Sequence, residues 1–178
     1  MSHLEQSHHA IDAAADWLRP VPWQLFTTLE FPRGARPEVA TAKFGEFIDT
    51  LERNLRSRVC SVHVLESKSK DSGERVPLHI HSALTAIKPI DPRLVSSAWH
   101  ARVGRTDPTS SDLVLTRPFD PEMGGIDYIL KQIEDPDCEW DVRNVHLFHP
   151  NVKLDSKLDH ASLRSTRRWQ QQVSLAAA

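Results

Sequence analysis

Several features that would place this chain in a special class are missing from its sequence. Its 178 residues include only two cysteines, Cys60 and Cys138, too few for a disulfide framework and without metal-ligand spacing. A reducing, cytoplasmic setting is therefore expected. No apolar run approaches the roughly 20 residues that span a bilayer, and the polar, histidine-rich segment 1–16 has no signal-peptide core. The formal net charge of −2 gives no global attraction to nucleic acid.

Glycine is also scarce, with six in the chain, and the hydrophobic fraction of 39% is ordinary for a globular domain. Apolar and β-branched patterns predict strands over 23–31, 60–66, 78–85, 112–116 and 141–148, and helices over 39–58, 91–103 and 121–133. This order predicts an α+β fold with a central, mostly antiparallel five-stranded sheet flanked by helices. We expect a flexible tail over 1–21, or a short helix near 13–18, then a folded domain over 22–150 and a helical tail over 151–178.

The histidines His79 and His81 are the most informative pair in the chain. They lie in a strand-like segment, and side chains two apart on a strand point to the same face. If the two central strands form an antiparallel hairpin, Glu66 returns beside them. A carboxylate and two imidazoles suit Mg²⁺, Mn²⁺ or Zn²⁺. The alternative is a pair of half-exposed histidines and a solvated Glu66. His63 is out of phase with Glu66, so we expect it on the other face as an ordinary histidine.

Tyr128 is the only tyrosine, and it lies in the helical segment Gly-Gly-Ile-Asp-Tyr-Ile-Leu-Lys that ends at Lys131. Positions i and i+3 of a helix share a face, so Tyr128 and Lys131 are expected side by side. A phenol, with a free pKa near about 10, is a weak nucleophile unless a cation or metal ion assists it. The lysine could instead stabilise charge on a phosphate. The alternative is a packing tyrosine and a solvated lysine.

Taken in order, three segments resemble the motifs of the HUH endonuclease superfamily, named for histidine–hydrophobic–histidine. Phe26-Thr-Thr-Leu-Glu30 is similar to the first motif, which helps to position DNA. His79-Ile80-His81 matches the metal-binding second motif, with Glu66 where a further ligand is often found. Tyr128-Ile-Leu-Lys131 matches the third motif, which supplies a catalytic tyrosine and its lysine. The resemblance covers residues 22–150. Within the superfamily, the chain most resembles the nuclease domain of rolling-circle replication initiator (Rep) proteins that have one catalytic tyrosine.

The resemblance implies a sequence-specific nuclease that nicks and rejoins single-stranded DNA. Tyr128 would attack a phosphodiester, giving a 5′-phosphotyrosine and a free 3′-hydroxyl, with Lys131 assisting. Glu66, His79 and His81 would hold Mn²⁺ or Mg²⁺, with Zn²⁺ as a further option. The substrate would be single-stranded or hairpin origin DNA, and no membrane is involved. The first motif implies DNA contacts at Thr27 and Thr28, and the basic residues expected to contact the DNA backbone are Arg33, Lys68, Lys70 and Arg75.

The resemblance also leaves alternatives open. Transposases and relaxases of the same superfamily share the chemistry, and a non-catalytic nucleic-acid-binding module could share the fold. A histidine-triad hydrolase would need another histidine where this chain has Ala83. No P-loop pattern is present, so a Rep-type helicase domain is not expected here. A host replication helicase or polymerase would be a further partner. The expected location is a bacterial or archaeal cytoplasm, with a plasmid, virus or mobile element as the source, or the nucleus for a eukaryotic virus.

Overall fold

The computed structural model describes residues 3–68, 74–104, 114–131 and 138–150, with side chains from residue 11 onward. These residues form a five-stranded antiparallel sheet of order β4-β1-β3-β2-β5 with helices on both faces, which confirms the predicted α+β fold. The elements are α1 His3–Leu18, β1 Leu25–Glu30, α2 Pro37–Leu55, β2 Val59–Lys68, β3 Arg75–Ala86, α3 Pro92–Val103, β4 Val114–Pro118, a 3₁₀ turn Pro121–Met123, α4 Gly125–Leu130, β5 Glu139–Arg143 and a 3₁₀ turn Val145–Leu147.

The two faces of the sheet pack against different helices. Strand alternation sends Leu29 and Leu84 to one face, where they pack with the aromatic side chains of α2 and α3, including Trp99. The other face carries Val64, which packs in a second cluster with apolar residues of α1 and α4 such as Ile129. A helix on each side buries both faces, so the strands are apolar on both sides over most of their length.

The N-terminal segment forms part of the second cluster. Helix α1 buries Ala14, Ala15 and Leu18 against the sheet and α4, with Ile11 partly buried beside them. These four positions follow the i, i+3, i+4, i+7 spacing of an amphipathic helix face. A packed helix longer than the predicted 13–18 therefore replaces the expected flexible tail.

The last predicted strand and helix are both shorter than expected. Strand β5 ends at Arg143 because Asn144 adopts a left-handed φ of 58°. The Asn144 side-chain amide donates to the carbonyl oxygen of Val59 at 2.8 Å, which holds the turn against β2. Gly124, whose φ is 61°, divides the predicted helix over 121–133 into a 3₁₀ turn and the short helix α4. Residues 132 and 133 of that predicted helix lie outside the described residues.

The predicted helical tail over 151–178 lies outside the described residues. In the part of the chain that the structure describes, the helices lack the length and apolar character that a bilayer crossing requires.

Candidate metal centre and active site

The β2–β3 hairpin brings the three predicted metal ligands together. Glu66 pairs with His79 in the antiparallel register, and Val64 pairs with His81, so the carboxylate and both imidazoles share one face. The Nε2 atoms of His79 and His81 lie 3.4 and 3.7 Å from Oε2 of Glu66. All three donor atoms lie within 4.8 Å of one another, and Glu66 and His81 are buried. This cluster could hold a metal ion, as the sequence predicted.

Hydrogen bonds on the far side of each imidazole orient the two rings. His79 Nδ1 donates to the carbonyl oxygen of Pro77 at 2.7 Å, because a carbonyl can only accept. His81 Nδ1 lies 2.9 Å from the hydroxyl of Thr28 on β1. Both Nε2 atoms therefore face the centre of the cluster, where they are 3.0 Å apart. Metal-binding histidines are commonly held in this way through their second ring nitrogen.

Two of the three side chains in the cluster are in the protonation state that binds a metal ion. Burial raises the pKa of Glu66, but the hydrogen bond with His79 and the neighbouring positive charges outweigh it, so the net shift is downward. Burial lowers the pKa of His81 to about 4, which leaves its ring neutral at pH 7. Burial also opposes the charged form of His79, but the bond to Glu66 raises the pKa of that ring overall. The carboxylate and the neutral His81 ring are thus in metal-binding form, whereas any proton on Nε2 of His79 would have to leave before that atom could bind a metal ion.

One carboxylate oxygen of the cluster is left for a further partner. Oε1 of Glu66 is buried and accepts no hydrogen bond among the described residues. Lys131 Nζ lies 3.6 Å from it, on the side of α4. A buried carboxylate oxygen with spare acceptor capacity beside two imidazole nitrogens fits the oxygen and nitrogen donor set of Mg²⁺, Mn²⁺ or Zn²⁺.

Helix α4 places Tyr128 directly beside this cluster. Its Oη lies 3.4 Å from Nε2 of His81, and the two rings meet edge to face at 4.8 Å. Lys131 Nζ lies 3.4 Å from the centre of the Tyr128 ring, so the two side chains share a face as predicted. The ammonium group covers the ring face rather than the phenol oxygen. Because Tyr128 is 41% exposed, a substrate can approach it from solvent.

The two glycines before Tyr128 explain how α4 comes so close to the sheet. Gly124 takes a left-handed φ of 61° at the start of the helix, a conformation that favours glycine. A Cβ atom on Gly125 would lie 2.9 Å from the Phe119 ring and 3.3 Å from the Phe26 ring. The close approach of α4 to these rings therefore requires glycine at position 125, three residues before the candidate nucleophile.

Two side chains near the site were not predicted as functional residues. The Phe26 ring lies 5.9 Å from the His81 ring and 6.0 Å from the Tyr128 ring, measured between centroids. The guanidinium of Arg117 on β4 lies over Phe26, 4.9 Å from its centroid. Arg117 thus places a positive charge on the face of the sheet that carries Phe26 and His81. The sequence carried a signal for Phe26, which is in phase with Thr28 on β1, but none that linked Arg117 to it.

The predicted DNA contacts meet different outcomes. Thr27 is completely buried, and its hydroxyl is 2.6 Å from that of Ser82, so its prediction as a DNA contact is wrong. Thr28 is half-buried and orients His81. Arg33, Lys68 and Arg75 are exposed, as a DNA contact requires.

Lys70 lies outside the described residues. His63 is on the opposite face from Glu66, where its ring lies 4.1 Å from that of Phe44, as its phase on β2 predicted.

Comparison of the chain with protein-family models, with curated proteins and with solved structures finds no match. The likeness to the HUH superfamily therefore depends on the three motifs and stays a prediction.

Proposed function

We propose that this chain nicks and rejoins single-stranded DNA by covalent tyrosine catalysis, with Mn²⁺ or Mg²⁺ as its metal ion. The observation that carries the proposal is the 3.4 Å distance between Tyr128 Oη and Nε2 of His81. A nucleophile adjacent to a metal centre can attack a phosphodiester that the metal ion contacts. Phosphoryl transfer to tyrosine is the chemistry that this pairing supports best.

Glu66, His79 and His81 would hold the ion, with Thr28 and the Pro77 carbonyl keeping the two rings in place. When bound, a divalent ion would polarise the scissile phosphate and offset the charge that develops on it. Oxygen donors suit Mg²⁺ and Mn²⁺, and the two imidazoles favour Mn²⁺ over Mg²⁺. Zn²⁺ remains compatible with the same donor set.

Tyr128 acts in this proposal as the nucleophile. Its Oη forms a bond to phosphorus while the bond between phosphorus and the 3′-oxygen breaks. The phenol loses one proton and the leaving 3′-oxygen takes up one proton, which gives the free 3′-hydroxyl. Lys131, beside both Tyr128 and Glu66, supplies a positive charge next to the anionic phosphate. Attack of the 3′-hydroxyl on the phosphotyrosine reverses the step and rejoins the strand.

The proposed role is the initiation of rolling-circle replication at single-stranded or hairpin origin DNA. The three motifs and the single tyrosine support it, since other branches of the superfamily include two-tyrosine enzymes. A transposase or a relaxase would use the same chemistry. A module that only binds nucleic acid would have no use for Tyr128 beside the His81 ring, and the contact between them therefore favours an enzyme.

The proposal is tested by incubating the protein with a random pool of single-stranded oligonucleotides and Mn²⁺. We expect a covalent protein–DNA adduct that survives denaturing electrophoresis and maps to Tyr128 by mass spectrometry. The sequence contains no second tyrosine, so the adducted residue type identifies the position. Tyr128→Phe and His79→Ala should both abolish the adduct, whereas His100→Ala on α3 should retain it. The proposal fails if the wild type forms no adduct or if Tyr128→Phe forms it equally well.

A further inference from the structure

Helix α4 is too short to keep its place on the sheet without help from its neighbours. It has six residues, Gly125–Leu130, and isolated helices of that length are not stable in water. Gly124 begins it in a left-handed conformation and has no side chain that could cap the first turn. Because Tyr128 lies on this helix, the contacts that α4 makes with neighbouring elements decide where the candidate nucleophile lies.

The apolar contacts of α4 lie on its buried side. Ile126, Ile129 and Leu130 pack in the second cluster with side chains of α1 such as Leu18. Burial of apolar surface is non-directional, and it holds α4 against the sheet. A directional contact on the exposed side of the helix would add a constraint on its rotation that apolar burial lacks.

Arg19, directly after α1, makes such a contact with the exposed side of α4. Its guanidinium donates to Oδ1 of Asp127 at 2.6 Å and, through its other terminal nitrogen, to Oδ1 of Asp16 at 2.6 Å. The bond to Asp127 joins residues that are 108 positions apart in the sequence. Because a guanidinium is planar and rigid, a carboxylate on each terminal nitrogen restricts the direction in which it points.

The backbone that carries Arg19 is held in place by hydrogen bonds. The N–H of Arg19 donates to the carbonyl oxygen of Ala15 at 2.8 Å, and that of Val21 donates to the carbonyl oxygen of Leu18 at 3.1 Å. The indole N–H of Trp23 donates to the same carbonyl oxygen of Leu18 at 2.9 Å, and both of these side chains are buried. Arg19 therefore projects from a fixed base towards α4.

Arg19 and the metal centre contact α4 on two different sides. Asp127 and Tyr128 are neighbours in the helix, so their side chains point about 100° apart around its axis. Asp127 binds Arg19, whereas the Tyr128 ring meets the His81 ring edge to face at 4.8 Å. A rotation of α4 that separated Asp127 from Arg19 would therefore also move the Tyr128 side chain relative to His81.

We propose that Arg19 is a positioning residue, whose ion pair with Asp127 sets the rotation of α4 and thereby the place of Tyr128 beside the metal centre. The inference rests on the proposed function only for the reaction that Tyr128 performs. Exposed ion pairs contribute little to stability, and both side chains of this pair are 51% exposed. Loss of the pair should therefore displace Tyr128 in a protein that stays folded.

The experiment uses the single tyrosine as a reporter of its own position. After labelling with ring-¹³C tyrosine, the NMR spectrum contains the labelled ring signals of Tyr128 alone. The rings of His81 and Phe26 lie 4.8 and 6.0 Å from that ring, so their ring currents shift its signals from those of a fully exposed tyrosine. In metal-free Arg19→Met and Asp127→Ala we expect the signals to move towards the exposed values. Arg19→Lys, which keeps the positive charge, should restore part of the wild-type shift.

Kinetics then distinguish a displaced nucleophile from a lost DNA contact. With Mn²⁺ and a saturating reactive oligonucleotide from the random pool, adduct formation by Arg19→Met should slow about 10- to 100-fold, because small displacements of reacting groups have effects of that size. Affinity for the oligonucleotide should be retained. Combining Arg19→Met with Asp127→Ala should slow the reaction no further, since both remove the same contact. The matched control Arg53→Met, at an exposed arginine that bonds within α2, should keep the wild-type signals and rate.

Unchanged Tyr128 signals in either Arg19→Met or Asp127→Ala would overturn the inference, as would displaced signals with an unchanged rate of adduct formation. Weaker oligonucleotide binding with an unchanged saturated rate would also overturn it, because Arg19 would then be a DNA contact. Unfolding of both variants, measured by circular dichroism, would show that the pair supplies stability rather than position. If the wild type forms no adduct, the proposed function fails, whereas displaced signals in the two variants still support the positioning of Tyr128 by Arg19.

Discussion

The stability of this protein should depend on pH through His63, which lies on the face of β2 away from the metal centre. The side chain is buried against Phe44, and its Nδ1 has no hydrogen-bond partner among the described residues. Burial lowers the pKa of His63 from 6.5 to about 3. The folded protein therefore keeps this ring neutral above about pH 3, whereas the unfolded chain protonates it near pH 6.5.

The sign of the effect follows from proton linkage. Above pH 6.5 His63 is neutral in both states and makes no pH-dependent contribution. Below pH 6.5 the unfolded chain binds a proton that the folded protein does not, so the free energy of unfolding falls as the pH falls. One pH unit corresponds to about 1.4 kcal/mol, so the loss reaches about 2 kcal/mol at pH 5. For a chain of this size that is a decrease in melting temperature of roughly 4–8 °C.

The assay is urea unfolding of the wild type and of His63→Leu at pH 7.5 and at pH 5, both with a chelator present. Every other titrating group is common to the two proteins, so the difference in their pH response isolates His63. The leucine variant should lose about 2 kcal/mol less between the two pH values. Equal losses in the two proteins would show that the folded protein protonates His63 readily, and the burial argument would be refuted.

Three further predictions concern the site. Thr28→Val removes the hydroxyl that orients His81, so Mn²⁺ affinity measured by calorimetry should fall about 10- to 100-fold. Gly125→Ala places a Cβ 2.9 Å from Phe119, so urea unfolding should show a loss of about 1–3 kcal/mol together with slower adduct formation. Arg117→Met removes the cation beside the site, so adduct formation should slow at least about 10-fold while Mn²⁺ affinity is retained.

Each of these has a result that would count against it. Unchanged Mn²⁺ affinity in Thr28→Val would mean that the hydroxyl does not support the ligand. Wild-type stability in Gly125→Ala would mean that α4 does not pack as closely as described. Adduct formation at the wild-type rate in Arg117→Met would leave that arginine outside the reaction, and weaker metal binding would point to a structural role instead.

The local features of the site were readable from the sequence because strand geometry repeats every two residues. That period alone placed His79 and His81 on one face and His63 out of phase with Glu66. A polar connection between adjacent strands was enough to predict the hairpin that returns Glu66 to the histidines. The spacing of Ile11 and of the three buried residues that follow it in α1 is also typical of a packed helix, so the expectation of a flexible tail missed a signal that the sequence carries.

Contacts between distant segments required the tertiary structure. Helical spacing paired Tyr128 with Lys131, but the distance of 3.4 Å from Tyr128 Oη to His81 depends on how closely α4 packs on the sheet, which Gly125 permits. The two-residue period of a strand puts the side chains of Thr27 and Thr28 on opposite faces of the sheet. Only the pairing of β1 with β3 shows that Thr28 is the one beside His81. The sequence thus determined which side chains point together along each element, because those preferences are local and steric. The tertiary structure decided which elements meet, because non-local packing determines the distances across the sheet.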